Sequence, residues 1–164
     1  MEYSKAKSIA DKAILLLKEH CIRIEIAGSI RRKKSEVKDI EIVAIPKPYD
    51  TGLFESGIAT IVNKWGKVKG ELPCKYTQRI LPEGIKLDLF FASPANWGLI
   101  YAIRTGSADY SHKVLANAWV RSGYQSIDGM LFHVENKKIY EVREEIDLFR
   151  RIGVDYIEPE LRSL

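Results

Sequence analysis

Apolar residues recur at helical spacing over residues 3–20, where Ala6, Ile9, Ala10, Ala13, Leu16 and Leu17 form one stripe, and this predicts an amphipathic first helix. The pattern then changes period. Strands are expected over about 22–27, ending at Gly28, and over about 37–45, ending before Pro46 and Pro48, which cannot donate to a ladder. The segment "YDTGLFESG" reads as a turn leading into a helix near 54–64. Three strand-like runs follow near 66–71, 75–81 and 85–92, divided by Pro73 and the turn "PEG". Residues 93–124 read as two helices with a break at Gly106. Ser93 and Pro94 suit the start of the first, Ser107 the cap of the second and Gly123 its stop. Short strands near 125–134 and 137–140 and a helix near 144–152 complete the chain.

These elements describe an α+β fold, a mixed β-sheet flanked by helices, followed by a smaller helix-plus-β-hairpin unit from about residue 105. At 164 residues, 46% of them hydrophobic, the chain can bury a real core. No apolar run approaches the roughly 18–20 residues that span a bilayer, so no membrane partner is expected. Lys12, Lys18 and Glu19 interrupt or border the first apolar run, which therefore does not read as a signal peptide. Cys21 and Cys74 match neither a metal spacing nor a disulfide framework. An intracellular setting follows as the expectation, whether cytoplasm, nucleoid or a viral replication site.

The net charge of +4 is mild, but its distribution is not even. Residues 31–38 hold five basic residues and one acid, and residues 64–86 hold six basic residues and two acids. Residues 139–160 reverse the balance, with seven acids against three arginines. A basic front half suits a polyanion such as nucleic acid, and equally suits a solvated lysine-rich surface.

Chemistry gathers at three acids. In "KDIEIVAI" a strand places Asp39 and Glu41 on one side and Ile40 and Ile42 on the other. "IKLDLFF" likewise sets Asp88 opposite Leu87 and Leu89. Either segment alone could be the solvent face of a half-exposed sheet. Three acids on adjacent strands would repel one another, and a divalent cation bound through carboxylate oxygens resolves that repulsion. Upstream, "GSIRR" offers the complement: Gly28 admits close approach of an anion, Ser29 donates from hydroxyl and amide, and Arg31 or Arg32 can fork onto phosphate oxygens. Both arginines cannot face inward from a helical turn.

Gly-Ser followed by acid-hydrophobic-acid on a strand, with a third acid on a later strand, resembles the nucleotidyltransferase superfamily. "GSIRRKKSEVKDIE", "KLDLF", "RTGSADYSHKVLANA" and "IGVDYIEPELR" together resemble the palm and thumb of family X DNA polymerases, the group of DNA polymerase beta, from about residue 22 onward. The resemblance implies a nucleotidyltransferase palm domain over 1–104 and a thumb domain over 105–164. It implies that Asp39, Glu41 and Asp88 are catalytic and bind two Mg²⁺ ions, with Mn²⁺ as a substitute. Gly28, Ser29 and Arg32 would hold the triphosphate of a dNTP, and Thr105, Gly106 and Ser107 would lie against its sugar and base. The reaction implied is in-line attack of a primer 3′-hydroxyl on the α-phosphate, as in gap filling or repair. Primed, nicked or gapped duplex DNA is the expected partner of a monomer, contacted by Lys64, Lys67, Lys69, Lys75, His112 and Lys113.

Departures from the family pattern qualify the implied activity. Glu41 stands where the familiar polymerases carry Asp. Ile103-Arg104 replaces the aromatic pair that helps exclude ribonucleotides. Ser111 replaces an Asn that reads the base edge, and Leu115 replaces an arginine that checks the template. The amino-terminal lyase and fingers domains have no counterpart, so deoxyribose-phosphate lyase activity is not expected. These differences keep a template-independent terminal or small-molecule nucleotidyltransferase as the alternative, and a non-catalytic DNA-binding module as a third reading. Trp65, between Lys64 and Lys67, is a candidate for stacking on a base, whereas Trp97 and Trp119 read as core.

Overall fold

The computed structural model describes residues 1–48 and 57–164, so the "YDTGLFESG" turn and the first residues of the expected 54–64 helix lie almost entirely outside the described residues. The chain divides into two compact units, Met1–Ala92 and Ser93–Leu164. The division precedes the 104/105 boundary read from the sequence. Its physical reason is that Leu99 and Ala102 share one buried cluster with Leu148, Phe149 and Ile152.

In the first unit, helix α1 (Tyr3–Leu17) starts at Glu2, whose carboxylate accepts from the amides of Ser4 and Lys5. Its buried positions are Ala6, Ile9, Ala10, Ala13 and Leu17. Leu16, expected in that stripe, is instead 50% exposed, because burial follows the Ala6–Ala10–Ala13–Leu17 line of a single face. Strand β1 (Cys21–Ile26) leads into the four-residue helix α2 (Gly28–Arg31), and β2 (Asp39–Pro46), α3 (Ile58–Val62), β3 (Gly66–Lys69), β4 (Tyr76–Ile80) and β5 (Lys86–Phe91) follow.

The strands form one mixed sheet in the order β1-β2-β5-β4-β3. Only β2 and β5 run parallel; the other neighbours are antiparallel. Pro46 ends β2 rather than following it, paired with Cys21 at the last position of the ladder. There a missing donor costs least. Ile40 and Ile42 of β2 and Leu87 and Leu89 of β5 face α1 and α3 in a single buried cluster. Trp65 belongs to that cluster at 8% exposure, which corrects the expectation that it stacks on a base. Arg79 also leaves the basic surface: it is 2% exposed, and its guanidinium donates to the Thr77 hydroxyl (3.0 Å) and the Gly70 carbonyl (3.2 Å).

The second unit holds α4 (Trp97–Thr105), a helical stretch of α5 (Ala108–Tyr110), a π-helical segment Ser111–Ala116 and α6 (Asn117–Arg121), then β6 (Tyr124–Ile127), β7 (Met130–His133), β8 (Ile139–Tyr140) and α7 (Glu145–Ile152). Strands β6-β7-β8 make a small antiparallel sheet. The first helix begins at Trp97, not at Ser93. The Asn96 side chain accepts from the Ser93 amide at 2.8 Å, so the Ser-Pro pair forms the preceding turn. Gly123, with φ +87°, follows the end of α6 as expected. Gly98 packs so closely on the Glu144 backbone that a β-carbon would collide with it, which lets α4 lie against the start of α7. Among the described residues no helix is long and apolar enough to cross a membrane.

Candidate active site

Register decides which acids meet. Parallel pairing sets Asp39 opposite Lys86 and Glu41 directly opposite Asp88. Since side chains alternate, Asp39, Glu41, Lys86 and Asp88 all stand on the sheet face away from α1 and α3. The antiparallel β4 extends that face: Gln78 lies opposite Asp88, and Tyr76 opposite Phe90. The three acids are half-buried. Neighbouring strands lie about 4.8 Å apart, so Glu41 and Asp88 as like charges would repel by on the order of 3 kcal/mol at an effective dielectric near 20, and less where water screens them.

Glu41 and Asp88 have turned to different partners. Glu41 rests on the Gly28 turn. Ala27 donates its amide to the Glu41 carbonyl at 2.8 Å, and a β-carbon on Gly28, which has φ +59°, would collide with the Glu41 carboxylate. Glycine is required there on both counts. Burial draws the Arg32 guanidinium below its ordinary value, and the Glu41 charge opposes the shift, so the arginine and Glu41 are within electrostatic reach. Asp88 leans the other way: its Oδ1 accepts from the Tyr76 hydroxyl at 2.6 Å and from Gln78 Nε2 at 2.8 Å. The Tyr76 ring is fixed by stacking on Phe90, with centroids 4.9 Å apart.

Among the described residues, no three His, Cys, Asp or Glu side chains converge into a metal-binding group. The donor set and its register nonetheless fit a hard divalent cation, since two directly opposed carboxylates and a third two residues along supply only oxygen ligands.

Gly28 and Ser29 open α2, and Arg32 closes it, donating its amide to the Gly28 carbonyl at 3.0 Å. Lys34 donates to the Ser29 carbonyl at 3.0 Å, which ties the basic run back over the turn. Of the lysines proposed for DNA, Lys64, Lys69 and Lys75 are exposed, while Lys67, also exposed, is paired with Glu71. In the second unit His112 and Lys113 are exposed, and Lys113 lies 3.7 Å from Asp109.

The Thr105–Ser107 turn belongs to the second unit and is held from within it. Thr105 is fully buried, and Gly106 is pressed against the Tyr110 ring and the Ser111 hydroxyl. Ser107 donates its amide to the Arg162 carbonyl (2.9 Å), and its hydroxyl oxygen accepts from the amide of Tyr110 (3.1 Å). Arg162, fully buried, pairs with Glu145 and lies over the rings of Phe149 and Tyr156, 5.1 and 5.0 Å from their centroids. Ser111 spends its hydroxyl on the Ile103 carbonyl at 2.7 Å, and Leu115 is fully buried in the core of the unit. Sequence reasoning missed Tyr76, Gln78, Glu145 and Arg162. The only available signal was that Gln78 alternates with two positions, Thr77 and Arg79, that proved to face the core.

The family model for the DNA polymerase beta thumb matches residues 100–163. Among curated proteins none matches the chain. Among solved structures, polymerase beta of Leishmania infantum in a ternary P/T complex is similar over 100% of this chain and 77% of its own, with 16% identity and a TM-score of 0.70. At that identity the likeness speaks for the fold. The chain thus has the fold of polymerase beta along its whole length, and its residues 100–163 match the polymerase beta thumb.

Proposed function

We propose that the protein is a minimal template-directed DNA polymerase that transfers a nucleotide from a dNTP to a primer 3′-hydroxyl, in gap filling or repair. The observation that carries this reading is the direct opposition of Glu41 and Asp88 across parallel strands, with Gly28 packed against Glu41. Asp39, Glu41 and Asp88 would hold two Mg²⁺, or Mn²⁺ in their place, which supply charge neutralisation at the reacting phosphate and lower the pKa of the attacking hydroxyl. The residues around them position the reactants. Gly28 lets the triphosphate approach the α2 backbone, Ser29 donates to it, and Arg32 offers a forked guanidinium to its outer oxygens. Asp88 orients the primer hydroxyl, whose oxygen forms the new bond to the α-phosphorus as pyrophosphate departs. Thr105, Gly106 and Ser107 take the sugar and base. Lys64, Lys67, Lys69, Lys75, His112 and Lys113 contact DNA phosphates, and binding weakens as salt rises. Arg79 is not among these contacts, since it is buried.

Insertion on a duplex with a one-nucleotide gap, each dNTP supplied separately with Mg²⁺, tests the proposal against Asp39→Ala. Insertion of the complementary nucleotide alone, lost in the variant, is the expected result. A wild-type protein that inserts nothing on gapped, nicked or primed DNA would end it. A template-independent transferase is the second reading. It is favoured by Ser111 and Leu115, whose side chains are occupied by the Ile103 carbonyl and the core. Equal insertion of all four nucleotides would select it.

A further inference from the structure

Asp88 has two side-chain donors on one oxygen. Tyr76 and Gln78 both reach Oδ1, at 2.6 and 2.8 Å, from the same face of the neighbouring strand β4. Among the described residues no hydrogen bond reaches its Oδ2. Gln78 is the direct cross-strand partner of Asp88, and Tyr76 reaches it diagonally from beside Phe90. The ring stack on Phe90 holds the tyrosine ring, and with it the position of the hydroxyl oxygen. Both bonds are charge-assisted and short, and they place the negative charge of Asp88 in a defined rotamer.

We infer that Tyr76 and Gln78 are positioning residues that fix Asp88 as a one-oxygen ligand, saturating Oδ1 and presenting Oδ2 to a divalent cation. The inference rests on the metal-dependent reading proposed above. Its physical content is that a carboxylate swinging between one-oxygen and two-oxygen binding pays an ordering cost at each binding event, which the two donors remove beforehand. Outer partners of this kind contribute about 10–100-fold to metal affinity. Neither residue would touch the reacting atoms.

Mn²⁺ binding to the intact chain, followed by the electron paramagnetic resonance signal of the unbound ion, tests this without any turnover. Wild type is compared with Asp88→Asn, Tyr76→Phe, Gln78→Ala and the last two combined. Tyr76→Phe keeps the stack on Phe90 and removes only the hydroxyl. Ile80→Ala, exposed on the same strand, is the control for a general disturbance of β4. The expected result is Asp88-dependent binding in wild type, about tenfold or more weaker in the double variant, intermediate in each single variant and unchanged in Ile80→Ala. Thermal unfolding in chelator should show the variants still folded. If Mn²⁺ binds through Asp88 but the double variant binds equally well, the positioning role is wrong while the metal reading stands. Tighter binding in the double variant also overturns it, since the donors would then be competing with the cation. If wild type binds no Mn²⁺, or binds it without regard to Asp88, the metal reading and this inference fall together.

Discussion

The two units arrange charge in opposite ways. The first gathers like charges, Asp39, Glu41 and Asp88, on one half-buried sheet face, with Glu41 against the Gly28 turn and Asp88 on Tyr76 and Gln78. The second buries opposite charges together, Arg162 at 0% and Glu145 at 7% exposure, and closes them under the rings of Phe149 and Tyr156. Self-repulsion weakens a fold and persists where something else must bind. A buried pair contributes little net stability over an apolar substitute, yet is costly to break. On the function proposed above, the contrast separates a face that takes a ligand from a cluster built to hold a turn. Arg162 carries this out directly, since its carbonyl accepts the Ser107 amide.

Breaking the buried pair should have the largest effect. Glu145→Ala leaves the Arg162 guanidinium buried without its carboxylate and is expected to cost about 3–5 kcal/mol, read as a lower midpoint in denaturant. Glu145→Gln, which keeps an acceptor, should cost clearly less. A loss below about 1 kcal/mol in Glu145→Ala would mean that the pair does not organise the second unit as argued.

Gly28→Ala comes next. Its β-carbon must displace the Glu41 carboxylate, and φ +59° disfavours any side chain, so a loss of about 2 kcal/mol is expected. Gly153→Ala tests what part is backbone strain, since Gly153 has φ +69° and open space around its α-carbon. The excess of Gly28→Ala over Gly153→Ala measures the close approach to Glu41.

Much of this contrast was legible in the sequence, and the limits have physical causes. The alternation in "KDIEIV" and "KLDLF" gave the faces of Asp39, Glu41 and Asp88, because strand side chains have a period of two. Gly28 drew notice only together with the downstream acids, since Gly-Ser alone is common in turns. Which acid opposes which was not, since register between β2 and β5 depends on pairing across the whole intervening β3–β4 segment. Tyr76 and Gln78 are ordinary strand residues until Asp88 is placed beside them. Asn96 rather than Ser93 occupies the cap position, with its side chain turned back to the Ser93 amide and the buried Trp97 opening the helix. Trp65 among lysines looked like a nucleic-acid contact, but a sheet edge brings the core within reach of a residue whose neighbours remain in solvent.

A smaller effect of opposite sign distinguishes the like-charged face. Asp88→Asn keeps an oxygen for Tyr76 and Gln78 while removing one of the repelling charges. In chelator it should raise stability by about 1 kcal/mol, the scale expected for a partly screened pair. If Asp88→Asn instead destabilises the metal-free protein, its carboxylate is a structural acceptor and the distinction between the two units is lost.

The smallest change examines the second unit from inside. The Tyr110 hydroxyl is buried, and among the described residues has no hydrogen-bond partner. Burial pushes its pKa up, Arg162 pulls it down and Glu145 pushes it up again. A raised pKa means that the folded state prefers the protonated phenol. Its contribution to stability is full below the unfolded value near 10 and is lost as pH rises through the higher folded value. Tyr110→Phe removes both the unsatisfied hydroxyl and this titration. At pH 7 the variant should therefore equal wild type or exceed it by up to about 1 kcal/mol, and above pH 10 it should lose less stability. Unfolding midpoints at the two pH values decide the matter. A clear loss at pH 7 would mean that the hydroxyl is satisfied and helps hold the Ser107 turn, making Tyr110 part of the Arg162–Glu145 arrangement rather than a neighbour sealed in beside it.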